Sequence, residues 1–205
     1  MTIEKTVVGP LETNCYLIWD KSQTVIIDPA AEPEKIFSLI ASPVKNIICT
    51  HGHPDHVGAL WAVKHEFPQA KFLIHKAELP ILRSAVKGAR DVLGWKILEP
   101  PIPDKFLEES KSLKIGSQSY KIIHTPGHSP GSVCLLGKDH LFTGDVLFAR
   151  GYGRTDFSLG NEKEMFKSLK KLAKLPKDLI IHPGHGESTS LGQSLEWLQE
   201  PLGVW

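Results

Sequence analysis

The chain carries almost no net charge. Its 24 Lys and Arg residues stand against 23 Asp and Glu among 205 residues, a formal +1. No global field favours nucleic acid or an acidic membrane surface as a partner. Long hydrophobic runs are missing too, since none approaches the roughly 20 apolar residues that cross a bilayer. Residues 1–8 lack a basic head followed by an apolar stretch, so no signal peptide is expected. Cysteine is scarce: Cys15, Cys49 and Cys134 are odd in number and far apart, and each sits in an apolar, strand-like run. That spacing excludes a disulfide framework and a cysteine zinc knuckle, and points to buried, reduced thiols in a cytoplasmic protein. Ser129 and Ser132 lie in no serine-hydrolase motif. What remains is 41% hydrophobic and 23% charged, an ordinary composition for a chain that can bury its own core.

Apolar runs and breakers alternate in order along the chain. Residues 15–19 and 24–27 are β-rich around Asp20-Lys21-Ser22 and predict a hairpin. A helix is expected over 33–41, with Pro33 in its first turn, then a buried strand at 46–50, a helix at 59–67 and a strand at 72–75. Residues 78–86 have a helical pattern. Pro100, Pro101 and Pro103 stiffen what reads as a crossing, near 76–111, between two similar halves of one domain spanning 1–205. Strands are then expected at 113–115, 120–124, 132–136 and 140–143. A helix at 162–175, a strand at 179–182 and a closing helix at 191–198 complete the pattern. Strand-rich runs followed by helices on both sides of the crossing suggest sheet layers covered by helices, with chemistry on loops at strand ends.

The ten histidines are not evenly spread. Three fall in Thr50-His51-Gly52-His53-Pro54-Asp55-His56, directly after a strand. Gly52 and Pro54 keep that stretch from continuing as a helix. Side chains two apart in an extended loop point the same way, so His51 and His53 can reach one ion together. Asp55 and His56, past the turn, can aim at a second. Three more motifs end apolar strands: His124-Thr125-Pro126-Gly127-His128, Phe142-Thr143-Gly144-Asp145 and His182-Pro183-Gly184-His185-Gly186. Five histidines and two aspartates make seven candidate ligands, whereas one tetrahedral zinc needs four. Two ions sharing a carboxylate fit that count, and Asp145 is the better bridge because Asp55 sits on one turn with His56. Asp28, after Ile26-Ile27 and before Pro29, is expected to accept a hydrogen bond from a ligand histidine. His124 and His182 are expected to be structural.

His51-Gly52-His53-Pro54-Asp55-His56, with His128, Asp145 and His185, resembles the signature of the metallo-β-lactamase superfamily over essentially the whole chain. The resemblance implies an α/β fold, a four-layer αββα sandwich with two metals between the sheet edges. It implies His51, His53 and His128 at one metal, Asp55, His56 and His185 at the other, and Asp145 bridging. Within the superfamily, Gly9-Pro10-Leu11, Thr13-Asn14-Cys15-Tyr16-Leu17, Ile27-Asp28-Pro29, Pro126-Gly127-His128-Ser129-Pro130-Gly131 and Gly151-Tyr152-Gly153-Arg154 are similar to glyoxalase II, hydroxyacylglutathione hydrolase. Arg154 stands where that family has a basic glutathione contact, and Tyr152 is the second candidate substrate residue. The sequence reaches Trp205 without the long enzymes' helical C-terminal domain, so it resembles the short branch.

The implied activity is hydrolysis of a thioester such as S-lactoylglutathione by a metal-bridging hydroxide, with Asp55 and Asp145 as catalytic carboxylates. Zinc is the first expectation for the two divalent ions, and iron or manganese suits the same imidazole and carboxylate set. The expected partner is a small-molecule thioester, glutathione-linked if the glyoxalase II resemblance extends to the carrier, rather than nucleic acid or membrane. The stretch from Phe142 to Phe157 also resembles the persulfide dioxygenases of the superfamily, where His51, His128 and Asp145 would hold a single iron. A lactonase, a β-lactamase, a nuclease and a non-enzymatic diiron redox module are further superfamily possibilities. No feature of the sequence selects any of them.

Overall fold

The computed structural model describes residues 1–202, so the last three residues of the expected 1–205 unit lie outside it. Two six-stranded sheets stack face to face. The first runs β1 (Thr2–Val8), β2 (Thr13–Trp19), β3 (Thr24–Ile27), β4 (Val44–Ile48), β5 (Lys71–His75) and β6 (Lys105–Leu107) in spatial order. The second runs β12 (Thr189–Ser190), β11 (Ile180–Pro183), β10 (His140–Gly144), β9 (Val133–Leu136), β8 (Gln118–His124) and β7 (Ser112–Ile115). Strands β3 to β6 are parallel, as are β10 and β11, and the remaining pairs are antiparallel. Short helices α1 (Pro33–Phe37), α2 (Pro54–Val57), α3 (Leu60–Glu66) and α4 (Leu79–Gly88) accompany the first sheet. Helices α5 (Glu162–Leu172) and α6 (Leu191–Leu202) accompany the second.

Three apolar layers hold this αββα sandwich together, and the strands feed them by alternation. Along β3, Val25 and Ile27 enter the layer between the sheets, while Ile26 faces the helices. On β5, Leu73 points inward and Phe72 and Ile74 point outward; on β9, Val133 and Leu135 point inward and Cys134 outward. Both faces of the central strands are therefore buried, which is why they read as unbroken apolar runs. The inter-sheet layer centres on Tyr16, Tyr120 and Phe142, with Tyr16 edge-on to Phe142 at 5.3 Å between centroids. All three cysteines are buried and free, and burial raises each thiol pKa, so none is a ready nucleophile.

Several boundaries differ from expectation. The helix expected at 33–41 ends at Phe37, because Leu39 and Ile40 switch to donating three residues back, to Ile36 and Phe37. Residues 49–50 leave the strand and open the histidine loop. The crossing near 76–111 is not all connector: it carries α4, and β6 pairs with β5 in parallel. The β1 strand, with polar residues on both faces, and the two-residue β12 give too little apolar pattern to be read locally. Among the described residues no helix is long and apolar enough to cross a membrane.

The inter-sheet layer is the mechanical link between the two halves of the rim described next. Phe142→Ala should destabilise the protein by about 3–5 kcal/mol. The check is a lower urea midpoint at unchanged m-value.

Candidate metal centre

The sequence motifs meet at one rim of the sandwich. Asp28 follows β3, His51 and His53 follow β4, and Asp55 and His56 ride on α2. His128 lies in the loop after β8, Asp145 directly follows β10, and His185 follows β11. These are C-terminal strand ends, where α/β sheets place their ligands. Cross-links close the rim from both sheets: Asn14 N donates to Gly184 O (2.7 Å), Tyr16 Oη to Pro183 O (2.7 Å) and Val133 N to Thr50 O (3.0 Å).

The seven side chains form three overlapping groups whose ligand atoms lie within 4.8 Å of one another: His51, His53 and His128; His51, His56 and Asp145; Asp55, His56 and His185. His56 Nε2 is 3.3 Å from His185 Nε2 and 3.4 Å from Asp145 Oδ1. Asp145 Oδ2 lies 3.6 Å from His128 Nε2 and 3.5 Å from His185 Nε2. Ligands about 2.0–2.1 Å from a tetrahedral ion stand about 3.3 Å apart, so the set fits divalent ions. A second observation agrees. Buried His51 Nε2 and Asp145 Oδ1 have no hydrogen-bond partner among the described residues. Buried polar atoms left so are costly, and a cation would satisfy both.

The far nitrogens of four of the five rings are held, while His53 Nδ1 lies 2.8 Å from His128 Nε2 inside the cluster. His128 Nδ1 donates to Arg154 O (2.8 Å), and His185 Nδ1 donates to Leu11 O (2.9 Å). His56 Nδ1 donates to Asp28 Oδ2 (3.1 Å), which also accepts from Thr50 Oγ1 (2.7 Å), while Asp28 Oδ1 accepts from Thr50 N (2.7 Å). Thr50 Oγ1 is thereby left to accept from His51 Nδ1 at 3.1 Å. Asp28 thus orients one ring directly and a second through Thr50, fixing which nitrogen of each faces the centre. It does so from a left-handed backbone (φ 53°), a conformation Asp tolerates better than most residues. Gly184 is required for a different reason: a Cβ there would collide with Asp145 and His56.

The charges are strongly coupled. Burial disfavours a charged His56, yet Asp145 and Asp55 beside it raise its pKa well above the usual histidine value. Burial likewise opposes His185, but hydrogen bonds to Asp145 and Asp55 lift it to about 9. Burial and neighbouring His128 press His53 down to about 4. Burial works against a charged Asp145 as well, but the His56 and His185 rings hold it well below the usual carboxylate range.

Tyr152 and Arg154 line the cleft above the cluster. Tyr152 packs edge-on against Phe166 at 5.7 Å. The Arg154 guanidinium is bidentate on Asp156 (2.7 and 2.8 Å) and lies 4.1 Å over Phe157, so only its carbonyl reaches the cluster. His124 donates to Pro130 O and stacks on His75, and His182 stacks on Phe142 beside His140, all away from the rim cluster.

Sequence reasoning missed Glu78. Its buried carboxylate accepts from Gly52 N (2.7 Å) and Gly131 N (2.6 Å), clamping the His51–His53 loop to the His128 loop. Burial raises its pKa, and no local pattern marks it, because its partners lie 26 and 53 residues away. An amide in its place can accept only one of the two N–H bonds. Glu78→Gln should therefore destabilise by about 1–3 kcal/mol, with larger hydrogen-exchange gains at residues 51–53 and 128–131 than elsewhere as the check.

Comparison with known proteins agrees with this geometry. Residues 8–185 match the family model of the metallo-beta-lactamase superfamily. The chain is 36% identical to hydroxyacylglutathione hydrolase GloC of Haemophilus influenzae over 201 residues, 94% of each chain. The crystal structure of the B3 metallo-beta-lactamase BLEG-1 superposes with a TM-score of 0.88 at 33% identity, covering 95% of this chain and 97% of that one. TTHA1623 in a di-iron-bound form superposes with a TM-score of 0.85 at 36% identity, over 94% and 96%. With its fold, its rim of strand-end histidines and these relatives in agreement, the chain belongs to the metallo-beta-lactamase superfamily.

Proposed function

We propose that the chain is a hydrolase that cleaves thioesters with two divalent ions. His51, His53 and His128 would hold one ion, Asp55, His56 and His185 the other, with Asp145 bridging. One observation carries the reading: the seven side chains fall into three overlapping groups whose ligand atoms lie within 4.8 Å of one another, and His51 Nε2 and Asp145 Oδ1 have no hydrogen-bond partner among the described residues. Bound there, the ions supply water activated at neutral pH and a Lewis acid for the carbonyl. Zinc is our first assignment, although the similarity to a di-iron-bound protein keeps iron in view.

The chain's own residues orient the reaction. Asp55 lines the cleft. Burial opposes its charge, but His56 and His185 hold its pKa below the ordinary value. It is thus ionised at neutral pH and placed to orient the attacking water. One water is consumed, the C–S bond breaks, and a carboxylic acid and a thiol form. A thiolate leaves readily, so no strong general acid is required. S-lactoylglutathione is the model substrate, supported by the likeness to GloC. The Arg154–Asp156 pair is solvent-exposed and therefore weak, so a substrate carboxylate can displace Asp156 from it. The mononuclear-iron alternative would use His51, His128 and Asp145 and leave His53, Asp55, His56 and His185 without a role.

Two ions per chain and cleavage of S-lactoylglutathione without oxygen uptake are the expected results. One iron with oxygen consumption on glutathione persulfide would move the protein to the dioxygenase branch. Asp145→Ala should abolish two-ion binding and lower turnover by at least about a thousandfold, roughly 4 kcal/mol of barrier. A variant keeping both would sink the model. Neighbouring carboxylates raise the His56 pKa and lift that of His185 to about 9, so metal uptake by the metal-free protein should displace protons from this pair. Apparent affinity should fall as pH drops below about 9, and calorimetry in buffers of different ionisation enthalpy should show net proton release.

A further inference from the structure

We propose that the cleft over the histidine cluster selects its thioester by an apolar acyl chain, preferring aliphatic acyl groups to the polar hydroxyacyl group of S-lactoylglutathione. The proposal rests on the hydrolase reading above and names its substrate class. The cleft has a volume of 920 Å³ and two apolar walls. One is built by Ile81 and Ala85 on α4 and by Val92 in the turn that follows. The other is built by Phe157 and Leu159. The metal-ligating groups form the floor, and Ser84 and Ser158 are uncharged hydroxyls that interrupt the apolar walls. Arg154 is the only Lys or Arg among the described residues that line the cleft, and its guanidinium is paired with Asp156 over the Phe157 ring. An anionic carrier must first displace Asp156 from Arg154, whereas a hydrocarbon chain meets a matching surface on both walls.

Two features of the walls point to a ligand rather than to packing. Val92 is 74% exposed and Leu159 is 54% exposed, so neither side chain is spent on the core. Val92 belongs to a π turn, Ala89–Leu93, that extends α4 over the cleft before ending at left-handed Gly94. Such turns recur at functional sites. Leu159 has φ 76°, a left-handed conformation that a bulky side chain adopts only under strain. The turn is pinned on both sides, with Gly160 N donating to Phe157 O (2.9 Å) and Asn161 N to Gly127 O (2.7 Å). A strained, exposed leucine gains nothing for the fold, and its place at the rim of the cleft supplies the reason for it.

The test uses the metal-loaded protein and thioesters of one small neutral thiol with acetyl, butanoyl, hexanoyl and lactoyl groups. Alongside them, Kd is measured for ketone analogues in which a methylene replaces the sulfur. We expect kcat/KM and 1/Kd to rise roughly fourfold per methylene, with lactoyl below butanoyl. Leu159→Asn, a residue that tolerates φ 76°, should keep the melting temperature while flattening both slopes, and Val92→Asp should flatten them as well. Flat or falling series, lactoyl above butanoyl, or slopes unchanged in both variants would overturn the proposal. Turnover of no thioester alongside a chain-length-dependent Kd would instead remove the hydrolase reading and leave the apolar pocket standing.

Discussion

Imidazoles and carboxylates crowded into a buried rim stay in place only if the atoms facing away from the centre are held. Here the outer nitrogens of His56, His128 and His185 and the Thr50 hydroxyl beside His51 have protein partners, drawn from loops 11, 28, 50 and 154. The inner atoms are consequently aimed at one another, and His51 Nε2 and Asp145 Oδ1 are left without a hydrogen-bond partner among the described residues. The centre is rigid because of this outer shell, and the outer shell is in place because both sheets end at the same rim.

The sandwich supplies that coincidence. Tyr16, Tyr120 and Phe142 lock the sheets face to face, and the rim cross-links from Asn14, Tyr16 and Val133 tie their ends together. Glu78 adds a bond between the two histidine loops that neither sheet provides. Stability and metal geometry are therefore coupled through the inter-sheet layer, which lies beyond direct contact with the ligands.

The cleft above obeys a different logic. Its floor is polar and fixed by hydrogen bonds, while its walls come from a helix extension and a loop that carry exposed or strained apolar residues. A buried floor held by strand ends suits a reaction centre common to a superfamily. Walls built on loops can change without disturbing that floor, which is where substrate choice is expected to reside.

Much of this was legible in the chain itself. The hairpin, the unbroken apolar strands and the Gly- and Pro-rich histidine segments at strand ends are local patterns with local physical causes. They suffice to name the layers and the seven side chains that the structure brings together. Asp28 was legible as an acceptor for a ligand histidine, which His56 is, but not as the group that also takes the Thr50 N–H and hydroxyl. Arg154 was legible as a cation, but not that Asp156 and Phe157 already occupy it. The edge strands β1, β6 and β12, the Glu78 clamp, the close approach at Gly184 and the strained Leu159 were not legible. Each depends on groups far apart in sequence or on a backbone angle imposed by neighbouring loops. Residue chemistry and periodicity thus determined what could bind a metal and which segments form strands. Tertiary structure alone decided which oxygen holds which ring and which walls face the substrate, because those are distances between elements that no short stretch of chain contains.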